Sequence, residues 1–270
     1  MNLPPTLSKS AFSLVELSIV LVILGLLVGG VLSGQSLIRA AELRAVSTEF
    51  SRYTTAIGSF RDKYFALPGD MTNATSFWNT AATCPGVAAT ASAGACNGDG
   101  NGLLNLNAST SNEIYGAWEQ LALSGLVEGS YTGNSGDTTA SNQTSIIATN
   151  VPRSKLSSAG WTLYGLGNIA ISDVFWPEGS YSNVLFFGAA TTSNVTTGVI
   201  LKPEEAWNID TKVDDGRPAT GSVVSPENLG GTGTTNCSNT AGSITVSVAA
   251  AAYSLTNSGI NCALAMKTGY

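Results

Sequence analysis

Two short segments of the chain bring oxygen-bearing side chains together. In the first, Asn97, Asp99 and Asn101 alternate with glycines before Gly102, which is the opening pattern of an EF-hand-like calcium loop. Calcium takes roughly six to eight oxygen ligands, and Ala108 stands where such a loop has its bidentate acid. We interpret the segment either as a calcium site or as a glycine-rich turn beside a disulfide.

The second segment is Asp214-Asp215-Gly216. An aspartate pair followed by glycine either holds a cation or forms a tight turn, here tied down by Lys212 or Arg217. Calcium is therefore the one cofactor that the sequence suggests, at either segment.

A catalytic constellation is missing from the sequence. The chain has no histidine, which excludes Ser/His/Asp and Cys/His arrangements and histidine metal sites. Nothing marks Ser/Lys or paired-carboxylate chemistry, so we do not expect an enzyme.

The four cysteines indicate disulfides, because their number is even and no metal-type CxxC spacing occurs. Four cysteines permit three connectivities, which sequence alone does not distinguish. We favour Cys84–Cys96 and Cys237–Cys262, since each pair closes a local loop. Disulfides in turn indicate an oxidising compartment.

The charge of the chain limits its partners. The formal net charge is −6, and only 11% of residues are charged. Phosphate binding needs clustered Lys and Arg. We therefore expect no general nucleic-acid binding.

An apolar run near the N-terminus dominates the organisation of the chain. From Phe12 to Leu32 there are 21 residues, and Glu16 is the only charged one. As a helix, this run covers about 31 Å, enough to cross a bilayer core of about 30 Å. A carboxylate inside such a span costs roughly 2.5–3.5 kcal/mol, so we expect Glu16 to have a partner.

The helical pattern continues beyond the apolar run. Apolar residues recur at spacings that place them on one stripe of a helix, with polar residues such as Glu49 between them. Pro68 and Gly69 then supply a stop, so we predict one helix from about Phe12 to Tyr64. The predicted stripe consists of Ile38, Val46, Phe50, Tyr53, Ile57, Phe60 and Tyr64.

Shorter elements are predicted after this helix. Thr110 and Glu113 match a capping box for a second helix near 111–124, with Gly125 as its C-cap. Pro203 opens a third, shorter helix. Strands are expected at Trp161–Leu166, Asn183–Gly188, Gly198–Leu201, Ser222–Val224 and Ser243–Val248. A long N-terminal α-helix packed on an antiparallel β-sheet makes the fold class α+β.

The N-terminus has a polar leader with Lys9, then the small residue Ala11, then Phe12 and Glu16 at the start of the apolar run. This combination resembles type IV pilins and type II secretion pseudopilins, although that family usually has Gly where this chain has Ala11. The resemblance implies leader cleavage between Ala11 and Phe12 and N-methylation of the new Phe12 amine. The Asp214 segment also looks like one found in some large pilin-like proteins.

The resemblance implies a mode of assembly as well. The Glu16 carboxylate of an incoming subunit would pair with the Phe12 amine of a subunit already in the filament. Such pairing makes physical sense, because an isolated carboxylate is costly in a low-dielectric core. The implied partners are a prepilin peptidase and methyltransferase, other pilin or pseudopilin subunits, an inner-membrane assembly platform and, before assembly, membrane lipid.

The implied domain organisation has four parts. They are a leader at 1–11, a transmembrane and filament-core helix at 12–34, an amphipathic half-helix at 35–66 and a pilin-like extracytoplasmic domain at 67–270. A subunit of this kind is expected as a single-pass protein of the bacterial inner membrane, and as a filament in the periplasm or at the cell surface.

The alternative is a membrane-anchored adhesin or ligand-binding module that never polymerises. The two hypotheses differ in the fate of the Phe12–Leu32 helix, which leaves the bilayer only in a polymer.

Overall fold

The fold is described from a computed structural model of the chain. The structure describes residues 13–80, 94–107, 111–134, 144–169, 179–191, 195–225, 236–239 and 250–270. The chain divides into two compact units, residues 1–42 and 43–270. The elements are α1 (Leu14–Tyr64), α2 (Thr75–Trp78), β1 (Leu106–Asn107), β2 (Ser111–Asn112), α3 (Glu113–Leu123), β3 (Ala159–Ile169), β4 (Gly179–Ala189), α4 (Pro203–Val213), β5 (Val223–Val224) and β6 (Leu264–Lys267).

Helix α1 is continuous over 51 residues, as its apolar periodicity predicts. Every residue from 13 to 33 is exposed within the chain. Among the described residues, α1 is the one helix long and apolar enough to cross a membrane. Among residues 13–42, which the structure describes, none is buried within the chain.

The second half of α1 buries one stripe of side chains. The buried residues are Val46, Glu49, Tyr53, Ala56, Ile57 and Phe60. Two predictions for this stripe are wrong. Ile38 is 63% exposed, and Glu49, predicted between the apolar positions, lies on the stripe because it is three residues from Val46 and four from Tyr53.

The Glu49 carboxylate fixes α1 to the sheet. Its Oε2 accepts hydrogen bonds from Ser154 Oγ at 2.6 Å and from Trp161 Nε1 at 2.8 Å, while Oε1 accepts the Lys155 N–H at 2.8 Å. Burying a charge is costly unless it is paired or hydrogen-bonded. Three donors offset that cost here and set the position of the helix against β3.

A four-stranded antiparallel sheet forms the second layer, in the order β3-β4-β6-β5. Strands β3 and β4, of 11 residues each, contain the predicted segments Trp161–Leu166 and Asn183–Gly188. Segment Gly198–Leu201 makes isolated bridges instead of a strand. Prediction missed β6, and Ser243–Val248 lies outside the described residues. The α+β class is confirmed.

The main core lies where α1, α3 and β3 meet. Tyr53 of α1 packs edge-on against Trp118 of α3 at 4.9 Å and against Trp161 of β3 at 5.7 Å between ring centroids. Alternate strand residues point to opposite faces of a sheet. A second, smaller cluster therefore forms on the other face, from Tyr181, Val184, Phe186, Val224 and Ala265.

The start of α3 differs from its prediction. Helix α3 begins at Glu113, whose N-cap is Asn112, and no side-chain cap is present. The predicted capping box is wrong, because the Glu113 carboxylate turns to the loop at 99–105 instead. Thr110 lies outside the described residues. Gly125 follows the helix with φ +76°, the left-handed conformation expected of a C-terminal glycine.

Candidate functional site

The first candidate site is the N-terminus of α1. Ala11 and Phe12, the predicted cleavage and methylation residues, lie outside the described residues. Glu16 is exposed in the first turn, and its Oε2 accepts the Ser13 N–H at 2.9 Å. Ser13 Oγ in turn accepts the Val15 N–H at 3.3 Å.

Ser13 and Glu16 therefore both cap the start of α1, Ser13 through the N–H of Val15 and Glu16 through the N–H of Ser13. The first N–H groups of a helix have no intrahelical acceptor, and an acid in the first turn also interacts favourably with the helix dipole. The S-x-x-E spacing before an apolar run is the sequence signal for this arrangement, which was not among the predictions. Glu16 thus has a local role in the isolated chain besides any role in assembly.

The second candidate site is a cluster of three carboxylates. Oxygen atoms of Asp70, Asp99 and Glu113 lie within 4.8 Å of one another. Asp70 follows the Pro68-Gly69 turn after α1, Glu113 is the first residue of α3, and Asp99 lies in the predicted calcium loop. Asp70 and Glu113 are buried, whereas Asp99 is exposed.

The two buried carboxylates hold the loop by its backbone. Asp70 accepts the N–H groups of Gly100 at 2.7 Å, Asn101 at 3.1 Å and Gly102 at 2.9 Å. Burial raises the pKa of Asp70, and these N–H donors work against that rise. Glu113 accepts two further N–H groups, those of Asp99 at 2.8 Å and Asn105 at 2.9 Å.

The predicted amide ligands serve the loop itself. Asn97 Oδ1 accepts the Thr75 N–H at 2.9 Å, and Asn101 Oδ1 accepts the Leu103 N–H at 2.7 Å. The Asn101 Nδ2 donates to Asp99 Oδ2 at 2.9 Å. Of the predicted set, only Asp99 lies in the three-carboxylate cluster. The N–H groups that Asp70 and Glu113 accept make these two carboxylates a clamp for the loop. Three carboxylates supply only part of the roughly six to eight oxygens that calcium takes, and calcium binding here stays a prediction.

Strands β3 and β4 position the far end of this loop. Gly165 of β3 donates its N–H to Leu104 O at 2.8 Å. Asn183 Oδ1 of β4 accepts the Leu104 N–H at 2.9 Å, and its Nδ2 donates to Gly102 O at 2.9 Å. A Cβ at Gly165 would lie 2.6 Å from Leu104 N, so only glycine allows this approach.

The third candidate site brings Asp210 together with the predicted pair Asp214 and Asp215. Asp210 is fully buried near the end of α4. Its Oδ2 accepts the Tyr253 hydroxyl at 2.9 Å, and its Oδ1 accepts the Gly216 N–H at 3.2 Å. Desolvation raises the pKa of Asp210 to about 7. Asp210 was not among the predicted residues, although its position four residues before Asp214 on a helical pattern is a sequence signal for this contact.

The aspartate pair closes the turn after α4. Asp214 Oδ2 accepts the N–H groups of Ser222 and Val223. Asp215 accepts the Arg217 N–H at 2.9 Å and the Thr220 hydroxyl at 2.5 Å. Backbone N–H groups and the Thr220 hydroxyl therefore hold this turn.

The disulfide Cys237–Cys262 is present, with its Cα atoms 5.0 Å apart. Both cysteines are fully buried in the main core. Cys96 is also disulfide-bonded, while Cys84, its predicted partner, lies outside the described residues.

Comparisons with protein-family models, with curated proteins and with solved structures find no match to this chain.

Proposed function

We propose that the chain is a structural subunit of a type IV pilus or type II secretion pseudopilus. The observation that carries this proposal is the exposed apolar part of α1, residues 13–33, whose one acid is Glu16 in the first turn. A surface of this kind is unstable in water and needs lipid or other helices around it. A filament supplies both environments in turn, first the bilayer and then a bundle of identical helices.

Processing completes the assembly site. Cleavage between Ala11 and Phe12 creates a positive amine one residue before Ser13, whose N–H already bonds Glu16. The carboxylate of one subunit then pairs with the amine of a neighbour and offsets the cost of burying both charges. The long helix packed by its second half on an antiparallel sheet supports the same proposal, because pilins are built this way.

The test separates charge pairing from helix capping. Glu16→Gln keeps an acceptor for the Ser13 N–H but removes the charge, whereas Ser13→Ala removes the hydroxyl that accepts the Val15 N–H and keeps the charge. We expect Glu16→Gln to abolish the shear-released filament fraction and Ser13→Ala to leave it. Membrane insertion, measured by carbonate extraction, should be unchanged in both variants.

Three outcomes contradict parts of the proposal. Normal filaments from Glu16→Gln would exclude charge pairing. A wild-type chain that stays entirely in the membrane after shearing would favour the anchored adhesin or ligand-binding module. Mass spectrometry of the purified chain should show methyl-Phe12 as its first residue, and an intact Met1 would contradict the processing step.

A further inference from the structure

Two Asn-Gly pairs occur in the chain, Asn97-Gly98 and Asn101-Gly102, and both lie in the predicted calcium loop. An asparagine before glycine loses its side-chain amide readily, because no Cβ hinders the approach of the following backbone nitrogen to the side-chain carbonyl carbon. The product is a cyclic imide, which water opens to aspartate or isoaspartate. Both pairs have the same local chemistry, so their surroundings in the fold decide which one reacts.

The structure places the groups that this reaction uses around the Asn101-Gly102 pair. Gly102 N, the nucleophile, donates its N–H to Asp70 Oδ2 at 2.9 Å, which is within the reach of a general base. Asn101 Oδ1 accepts the Leu103 N–H at 2.7 Å, and this contact folds the side chain back along the Gly102 peptide and polarises its carbonyl group. Asn101 Nδ2, the leaving nitrogen, donates to Asp99 Oδ2 at 2.9 Å.

The Asn101-Gly102 pair also has room to react. Asn101 and Gly102 are both exposed, and a Cβ placed at Gly102 would have no atom within 4 Å. Gly102 has φ +87°, in the left-handed region that glycine adopts without strain. Closing a ring between Gly102 N and the Asn101 side chain therefore displaces no packed side chain, and water has access to the product.

The Asn97-Gly98 pair has different surroundings. The Gly98 N–H donates to Met71 O at 2.9 Å, and a backbone carbonyl is not a base. A Cβ at Gly98 would lie 2.4 Å from Asp70 Cα, so packed backbone encloses this pair. Asn97 Oδ1 accepts the Thr75 N–H at 2.9 Å, which ties the side chain to the start of α2 instead of to its own peptide.

We propose that Asn101 is a self-modification site, at which the chain converts its own side-chain amide to a carboxylate. Gly102 N attacks Asn101 Cγ while Asp70 takes the Gly102 proton, and an N–Cγ bond forms. The Cγ–Nδ2 bond then breaks, and solvent carries the proton from Asp70 to the leaving nitrogen, which departs as ammonia. Water adds to either carbonyl of the imide and gives aspartate or isoaspartate, with no oxidant or reductant involved.

Conversion of Asn101 changes the loop that Asp70 and Glu113 hold. An aspartate at position 101 has no N–H to donate to Asp99 Oδ2 and places a second carboxylate beside it. The loop thus loses one hydrogen bond and gains one negative charge close to three carboxylates, so we expect the converted loop to be less stable. This inference is independent of the proposed filament, because it concerns only contacts within the chain.

Timed peptide mapping of the full chain in detergent at neutral pH tests the proposal. Mass spectrometry follows the conversion of each amide, and we expect Asn101 to convert about tenfold or more faster than Asn97. In urea the two pairs should convert at similar rates, because glycine follows each asparagine. Equal rates in the folded chain would overturn the proposal, as would a slower conversion of Asn101 in the folded chain than in urea.

Asp70→Asn tests the base directly, because it removes the carboxylate and keeps the shape of the side chain. Conversion of Asn101 should slow about tenfold or more, while conversion of Asn97 should not slow. Glu113→Gln is the matched control, since it changes another carboxylate that holds this loop and leaves the contact between Asp70 and Gly102 in place. Conversion of Asn101 should not slow in this control.

Two outcomes of the variant experiment overturn the proposal. Equal slowing in Asp70→Asn and Glu113→Gln would show that the order of the loop sets the rate of conversion. Faster conversion of Asn101 in Asp70→Asn would show that Asp70 protects the amide. If Asp70→Asn does not fold, the comparison of Asn101 with Asn97 in the wild-type chain decides.

Discussion

Glu16 and Glu49 interrupt the same helix pattern, yet their surroundings differ. Both are acids in α1 beside apolar neighbours. Glu49 is 5% exposed, and three donors from residues 154–161 complete its hydrogen bonds. Glu16 is exposed on an apolar surface and accepts the N–H of Ser13, three residues away.

The difference shows which groups offset the cost of placing each carboxylate among apolar side chains. The chain itself supplies the partners of Glu49, so this residue serves the stability of the unit formed by residues 43–270. Among the described residues Glu16 accepts one local hydrogen bond, so in an apolar environment its charge would need a further partner. An acid in an apolar pattern therefore indicates a structural anchor when the fold provides donors and an external contact when it does not.

The largest expected effect on stability comes from Glu49→Ala. Removing the carboxylate leaves the buried Trp161 Nε1 and the Ser154 hydroxyl without their acceptor. We expect the free energy of unfolding to fall by about 3 kcal/mol, measured by urea unfolding of the full chain in detergent. Glu42→Ala is the control, because its 3.5 Å ion pair with Arg39 is partly exposed and contributes less than about 1 kcal/mol.

A smaller effect is expected at Glu119, an acid that the fold buries without enough donors. Among the described residues its Oε2 has no hydrogen-bond partner, and burial raises its pKa from 4.5 to about 8. The folded chain therefore binds the proton of the Glu119 carboxyl group more tightly than the unfolded chain does. Its contribution to stability is complete below about pH 4.5 and is lost as the pH rises through about 8.

Glu119→Met tests whether ionisation of the buried Glu119 carboxyl group destabilises the fold. We expect the variant to exceed the wild type by about 1–3 kcal/mol in free energy of unfolding at pH 9, and to differ little at pH 4. Urea unfolding at the two pH values gives the comparison. If the variant and the wild type differed equally in free energy of unfolding at both pH values, ionisation of Glu119 would not be the cause.

Phe65→Gly tests the end of α1, where an exposed phenylalanine has a left-handed backbone. Glycine adopts φ +55° without strain, so we expect the free energy of unfolding to rise by about 0.5–1 kcal/mol. Thermal unfolding measures this change, and a loss of stability would contradict the strain argument.

The smallest effect is expected from Glu16→Gln in the isolated chain. Glutamine still accepts the Ser13 N–H, so the free energy of unfolding should change by less than about 0.5 kcal/mol. Urea unfolding in detergent measures this change. A loss as large as that of Glu49→Ala would remove the contrast between the two acids.

Local patterns predicted the parts of this molecule that local physics controls. The 51-residue helix follows from apolar spacing, and the left-handed Gly125 follows from its position after α3. The cluster of three carboxylates could not be predicted from local patterns. Asp99 was recognised, but Asp70 and Glu113 come from the end of one helix and the start of another, and no spacing rule relates them.

By itself the sequence determined the long helix, its exposed apolar half, its lone acid Glu16 and the presence of an α+β unit after it. These features depend on periodicity and side-chain type, which act over a few residues. The tertiary structure alone decided that Glu49 is an anchor, that Asp70 and Glu113 clamp a loop, and that Phe65 is strained and exposed. Those outcomes depend on which distant donors, carboxylates and rings the fold brings within hydrogen-bonding or packing distance.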